Sequence, residues 1–301
     1  MFRLVLSILF IALFSATLRA ESEDTVEFKI APLKPGAVLR LSTEISVNVF
    51  GKSSQSLSMR KLRESWVLEA DKNTPTKLKV AYGDMKTNSS IKGYKDTKPS
   101  VANKTYLISA TNGKAAITTL NGNKVSDDEQ DFIEKDFIAL GKPHPIALML
   151  HGQKLQMGGE LASQDVLKSI IADYLGDVGV GEVKNLSARL FARQKYNNMD
   201  TAIIWLNLET GGSRLFADST AKLTGQLVVA IPSGQPIAFK LDGTLNVRTN
   251  LDHTSSESVA SRGTLSVVIL GDLELPPEER IRTDDDDYII YGGRRSRISR
   301  R

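Results

Sequence analysis

The feature that most constrains this chain is a two-residue alternation that appears near both ends of its body. From Leu39 the odd positions run Leu39, Leu41, Thr43, Ile45, Val47 and Val49, while the even ones run Arg40, Ser42, Glu44, Ser46 and Asn48. From Ile237 the same pattern sets Ile237, Phe239, Leu241, Leu245, Val247 and Leu251 against Lys240, Asp242, Thr244, Asn246 and Arg248. Successive side chains of a strand point to opposite faces, so each run reads as a long strand with one face to bury and one to wet. Strands of this kind pair antiparallel.

Further strands follow from the same reading. Residues 57–69 return after Gly51-Lys52-Ser53-Ser54, and their alternation shifts phase near Arg63, as a β-bulge would make it do. The next strand is expected over 77–85. Residues 105–110 and 115–120 flank Asn112-Gly113, whose tolerance of positive φ predicts a tight hairpin. Residues 183–195, 201–209, 223–231, 237–251 and 259–273 read as an antiparallel meander with glycine- and proline-containing turns.

Two amphipathic helices are expected between these regions. The first opens at Ser126 with Glu129 three residues on, a capping box, and carries Phe132, Ile133, Phe137 and Leu140 on one face before Gly141. The second, from Ser163 to Gly176, places Val166, Leu167, Ile170, Ile171, Tyr174 and Leu175 on one stripe. Residues 145–150 read as a buried strand or turn between them. The expected fold class is therefore mainly β (α+β): a long-stranded, curved antiparallel sheet or half-open barrel with two central amphipathic helices against its apolar face. Residues 21–275 are expected to form a single β-rich domain, with the glycine and proline cluster of 141–159 as the alternative boundary.

The two ends differ from this body. Arg3, the apolar run 4–14 and Ala20 before Glu21 predict a secretory signal over residues 1–20, cleaved after Ala20. The chain contains no cysteine, so disulfides are excluded; export without them favours a periplasmic or secreted protein. Residues 276–301 combine Asp284-Asp285-Asp286-Asp287, Tyr288-Ile289-Ile290-Tyr291 and seven arginines, five of them in the last eight residues, and are expected to be a disordered, charged tail. Arg294, Arg295, Arg297, Arg300 and Arg301 are its candidate contacts with an anionic membrane or polyanion. The formal charge of +4 resides mostly in these ends, leaving a nearly neutral body without the footprint of a nucleic-acid binder.

Few chemistries are legible. Ser58-Met59-Arg60-Lys61 matches a bare S-x-x-K, but in a strand and without a downstream K-T-G. Gly176-Asp177-Val178-Gly179-Val180-Gly181 follows a helix, the wrong context for phosphate binding. His144, His151 and His253 lack the i, i+4 spacing of a metalloprotease site. No catalytic residue, metal ligand or cofactor is therefore assigned, and the chain reads as non-catalytic. Trp66, Trp205, Tyr82, Tyr94, Tyr106 and Phe191 either line an apolar cavity or fill a core.

The segment Leu223-Thr224-Gly225-Gln226-Leu227-Val228-Val229, the turn Ser233-Gly234-Gln235-Pro236 and the strand from Ile237 resemble the closing strands of exported bacterial β-rich proteins. The architecture as a whole is similar to periplasmic lipoprotein carriers, in which helices lid a half-open barrel. That resemblance implies an apolar small molecule or lipid as ligand, or an envelope protein as partner, and transfers no functional residue. The alternative expectation is an envelope structural or interaction protein with a filled core, attached through its arginine tail.

Overall fold

A computed structural model describes residues 25–30, 33–51, 54–71, 74–90, 98–111, 114–137, 140–176, 180, 182–196, 199–214, 217–250, 258–274, 288–291 and 294–297. The expected signal lies outside the described residues. The elements are β1 (Thr25–Glu27), β2 (Val38–Phe50), β3 (Gln55–Asp71), β4 (Thr74–Tyr82), β5 (Lys86–Ser89), β6 (Thr105–Thr111) and β7 (Lys114–Thr119). Then come α1 (Asp127–Asp136), α2 (Pro145–Leu150), β8 (Lys154–Gln156) and α3 (Asp165–Gly176). Finally β9 (Glu182–Tyr196), β10 (Met199–Arg214), β11 (Ala217–Ala230), β12 (Pro236–Asn250) and β13 (Ser258–Glu274) complete the body, before β14 (Tyr288–Tyr291) and β15 (Arg294–Arg297).

One antiparallel sheet dominates. Its order is β7-β6-β4-β3-β2-β13-β12-β11-β10-β9, with β5 beside β3, and it does not close into a barrel. The two runs that alternate most clearly lie near its middle, because β13 bridges β12 and β2, pairing Val38 with Glu274 and Phe50 with Arg262. A separate two-stranded sheet joins β1 to β8.

Glycine sets the curvature on the inner face. A Cβ at Gly225 would stand 1.8 Å from the Lys240 carbonyl oxygen, and one at Gly243 would stand 2.0 Å from that of Lys222. Gly225 pairs with Leu241 and Gly243 with Leu223, so adjacent strands close on each other where a side chain is missing.

Two apolar clusters lie on this sheet. The first joins the inner faces of β2 and β9–β13 to α2 and α3: Leu150, Leu167, Ile171 and Leu175 pack with Leu190, Leu206 and Leu241, all fully buried. The second joins β3, β4, β6 and β7 to α1, with Val80, Tyr106, Ile108 and Ile133 buried. Between them the inner face carries Thr43, Lys61 and Arg63.

Three expectations need correction. Among the described residues a third helix joins the two expected: residues 145–150, expected as a strand or turn, form α2, with Pro145 in the first turn and the His144 ring capping it by accepting the Ile146 N–H at 3.2 Å. Its six apolar residues carry no polar period to distinguish helix from strand. The first helix stops at Asp136, short of Gly141, although its capping box forms as expected. The expected bulge near Arg63 is absent: β2 and β3 keep register from Val38↔Trp66 to Val49↔Gln55, and the irregularity against β4 lies between Val67 and Ala70. The phase shift in sequence has another cause, which is that Lys61 and Arg63 face inward.

Candidate functional site

The inward charges of β3 meet α1. Thr43 pairs with Lys61 and Leu41 with Arg63, so these four side chains share the inner face with Ile45, Met59 and Ile269. The helix brings Asp136, near its C-terminal end, onto them. Lys61 Nζ donates to both Asp136 carboxylate oxygens at 2.5 Å, Arg63 Nη1 lies 3.2 Å from Oδ2, and the Tyr82 hydroxyl donates to Oδ2 at 2.9 Å. Aromatic rings complete the surround: Lys61 Nζ lies 4.8 Å from the Phe132 ring centre, and the Arg63 guanidinium lies 4.8 Å from that of Phe137.

The electrostatics follow from this geometry. Burial pushes the Asp136 carboxyl up, but Arg63, Lys61 and the Tyr82 hydrogen bond outweigh it, and the net shift is downward. Burial, then the Asp136 charge, pushes the Tyr82 hydroxyl up. Arg63 Nε is buried with no hydrogen-bond partner among the described residues. Burial, then Arg63, lowers the His144 imidazole to about 4.

A second carboxylate anchors the other end of α1. Glu129 accepts from Lys104 Nζ at 2.8 Å, the Tyr106 hydroxyl at 2.7 Å and the Ser126 N–H at 3.0 Å. Those hydrogen bonds, Lys104 first, hold its carboxyl down to about 2. The helix is thus fastened to β3, β4 and β6 by one acid at each end.

A cleft of about 200 Å³ opens where the two clusters meet. Leu41, Ile45, Met59, Met85, Phe132 and Ile269 give it apolar walls; Arg60, Lys61, Arg63, Lys86 and Asp136 give it charge. Glu44 lies 3.6 Å from Arg60 and Asp84 lies 3.4 Å from Lys86, while Lys61 and Arg63 face the carboxylate of Asp136. The cleft is cationic as well as apolar.

A larger hollow of about 510 Å³ is lined mainly from the outer face, by Arg40, Ser42, Leu62, Glu64, Leu270 and Asp272. Tyr196 also lines it. A flat sheet would hold β9 and β2 about 24 Å apart across five strand spacings, so the coiling of the sheet brings Tyr196 over. Arg40 there pairs with Glu64 at 2.9 Å and Glu274 at 3.1 Å, through side chains a quarter to two-fifths exposed. Water screens such pairs, so the inner cleft, where Lys61, Arg63 and Asp136 are more deeply set, is the stronger candidate.

The sequence candidates fall in several places. Arg294, Arg295 and Arg297 lie on β15, which pairs with β14 in the register Tyr288↔Arg297 to Tyr291↔Arg294. Arg300 and Arg301 lie outside the described residues, as does the rest of the expected disordered tail, and as do Tyr94 and His253. Tyr82 and Tyr106 belong to the second cluster, whereas Phe191 and Trp205 sit together on the outer face, 57% and 39% exposed. His144 and His151 cap opposite ends of α2. Ser58 and Lys61 are three residues apart on one strand and so point to opposite faces. Among the described residues, no cluster of His, Asp or Glu could hold a metal ion. The sequence reading missed Lys61, Arg63 and Asp136; the available signal was two cations at inward positions of an otherwise alternating strand.

No protein-family model matches the chain, and no curated protein matches it. Among solved structures, it is similar to DynF from the dynemicin biosynthesis pathway of Micromonospora chersina, at 9% identity and a TM-score of 0.21, over 88% of this chain and 96% of that one. It is also similar to the translocator domain of the autotransporter NalP from Neisseria meningitidis, at 7% identity and a TM-score of 0.14, over 89% and 95%. Likenesses this slight carry no argument about fold or function.

Proposed function

We propose that this chain is an exported, non-catalytic binding protein that takes an apolar ligand on the inner face of its curved sheet, in the cleft between the two clusters. One observation carries the reading. Where α2 and α3 lie, fully buried leucines and isoleucines occupy the inner face; at the seam, Leu41 and Met59 are only half-buried and, with the edges of Ile45 and Ile269, line a recess. Apolar side chains around a recess lower the free energy of an apolar guest by removing both surfaces from water. Titration with the neutral fluorophore N-phenyl-1-naphthylamine tests this. Saturable binding that Met59→Trp abolishes is expected; binding that never saturates, or that ignores Met59→Trp, would overturn the reading.

A second reading rests on the hairpin of β14 and β15, which among the described residues forms a sheet of its own. It attaches the protein to an anionic envelope surface through Arg294, Arg295, Arg297, Arg300 and Arg301. Sedimentation with phosphatidylglycerol vesicles should be lost on deleting residues 276–301 and weakened by salt. Equal sedimentation of the deletion would remove this reading.

A further inference from the structure

We infer that the outer face of the sheet binds a neutral polysaccharide, stacked on Phe191 and Trp205 and hydrogen-bonded along a polar row that crosses the strands beside them. This surface lies on the other side of the sheet from the cleft and does not depend on it. The two rings stand 6.0 Å apart between centres, inclined at 46°, and are 57% and 39% exposed. Their meeting is built into the sheet. The register of β9 on β10 slips from Ile204↔Leu190 to Ile203↔Ala192, so Phe191 is the extra residue of a β-bulge, a device that re-aims a side chain. Trp205 lies across from Arg189 of β9, whose guanidinium holds Glu160 through hydrogen bonds of 2.9 and 2.7 Å.

Two residues on from Trp205, and so on the same face, Asn207 begins a row of short polar side chains. Thr224, Asp242, Ser266, Ser46 and Ser58 follow it as successive cross-strand partners through β11, β12, β13, β2 and β3. Amide, hydroxyl and carboxylate groups supply both donors and acceptors, and the Ser266 hydroxyl donates to Asp242 at 2.6 Å. The charges that flank the row pair off: Arg189 with Glu160, Lys222 with Glu209 at 3.1 Å and Lys240 with Asp242 at 2.8 Å. Beside the row, the described residues therefore offer an anionic polymer no excess of cations to attract it. An apolar partner would have to desolvate the polar row and Arg189 next to the rings. A neutral sugar chain suits both features. Each pyranose presents C–H bonds on its faces, which the negative face of an aromatic ring attracts, and hydroxyls at its rim, which donate and accept. The row spans about 24 Å across five strand spacings, so its occupant is a chain of sugars instead of one ring.

Native gels cast with hydroxyethyl cellulose, glycol chitin or arabinoxylan, run beside plain gels, test this on the full chain. At least one of these neutral polymers should retard the protein, and high salt should leave the retardation in place, because stacking and neutral hydrogen bonds are not screened. Phe191→Ala and Trp205→Ala should each raise the polymer concentration needed about tenfold, and Trp205→Tyr, which keeps a ring, should raise it less. Thr224→Lys, in the row, should weaken retardation with both rings intact. Since both rings are exposed, the alanine variants should keep the wild-type urea midpoint, which separates lost binding from lost folding. Retardation by one polymer alone would identify the sugar. Unchanged migration in all three gels would overturn the inference, as would retardation that survives the double alanine variant or that high salt removes.

Discussion

The two halves of the sheet solve the same packing problem in different ways. Beneath α2 and α3 the inner face is dry, and Leu167, Ile171, Leu190, Leu206 and Leu241 bury it completely. Beneath α1 the sheet supplies Tyr82, Tyr106, Lys61 and Arg63, and the helix answers with Asp136 and Glu129. A dry interface is non-directional and tolerates any apolar filler of the right volume; an ionic one needs each partner in place, because a buried charge left alone is strongly unfavourable. The cleft opens where the two halves meet, so the charged part of the core, with the more specific geometry, forms one side of the candidate site.

The largest expected effect tests the bend that lets the dry half wrap its helices. Gly243→Val would force side-chain atoms into the Lys222 carbonyl and should lower stability by about 3 kcal/mol in urea unfolding. A loss under about 0.5 kcal/mol would show that the strands are not held so close. Next, Ile171→Ala in the dry half should lose about 3 kcal/mol at any ionic strength. Asp136→Ala should lose about 2 kcal/mol, less than a fully buried pair because its partners are partly exposed, and adding Lys61→Met should recover part of that loss. Were the double variant as unstable as the sum of its parts, the ionic account of that half would fail.

Acid separates the halves further. The His144 imidazole is lowered from 6.5 to about 4, so the unfolded chain takes up a proton before the folded one does. Stability should fall as pH drops from 6.5 to about 4, and His144→Asn, which keeps a capping side chain, should flatten that window. Glu129, lowered to about 2, and Asp136, also lowered, contribute stability that is present above the ordinary carboxylate range and is lost as pH falls below it, for Glu129 towards about 2. Urea midpoints at pH 7, 5 and 3 would reveal both steps. The smallest effect belongs to the outer face: Lys222→Ala removes a 3.1 Å contact with Glu209 between exposed side chains and should leave the urea midpoint unchanged.

Much of the fold could be read before the structure. The alternation of β2 and β12, the hairpin flanks of β6 and β7, the Ser126 capping box and the apolar stripe of α3 all depend on residues within a few positions of one another. The candidate site was legible only as an irregularity, because inward cations on β3 imitate a change of phase. The six-residue helix α2 was likewise invisible, since Ile146 to Leu150 present apolar residues on every side.

By itself, then, the sequence determined the local periods and caps, which follow from the bonding of a short stretch of backbone with itself. Tertiary structure alone decided which acid meets which base. Lys61 and Tyr82 reach Asp136 across 75 and 54 residues. That choice is made through space, by the antiparallel register that turns Lys61 and Arg63 inward and by the packing of Ile133 that lays α1 over them. An ion pair of this kind forms only where folding has already removed most of the water from both partners.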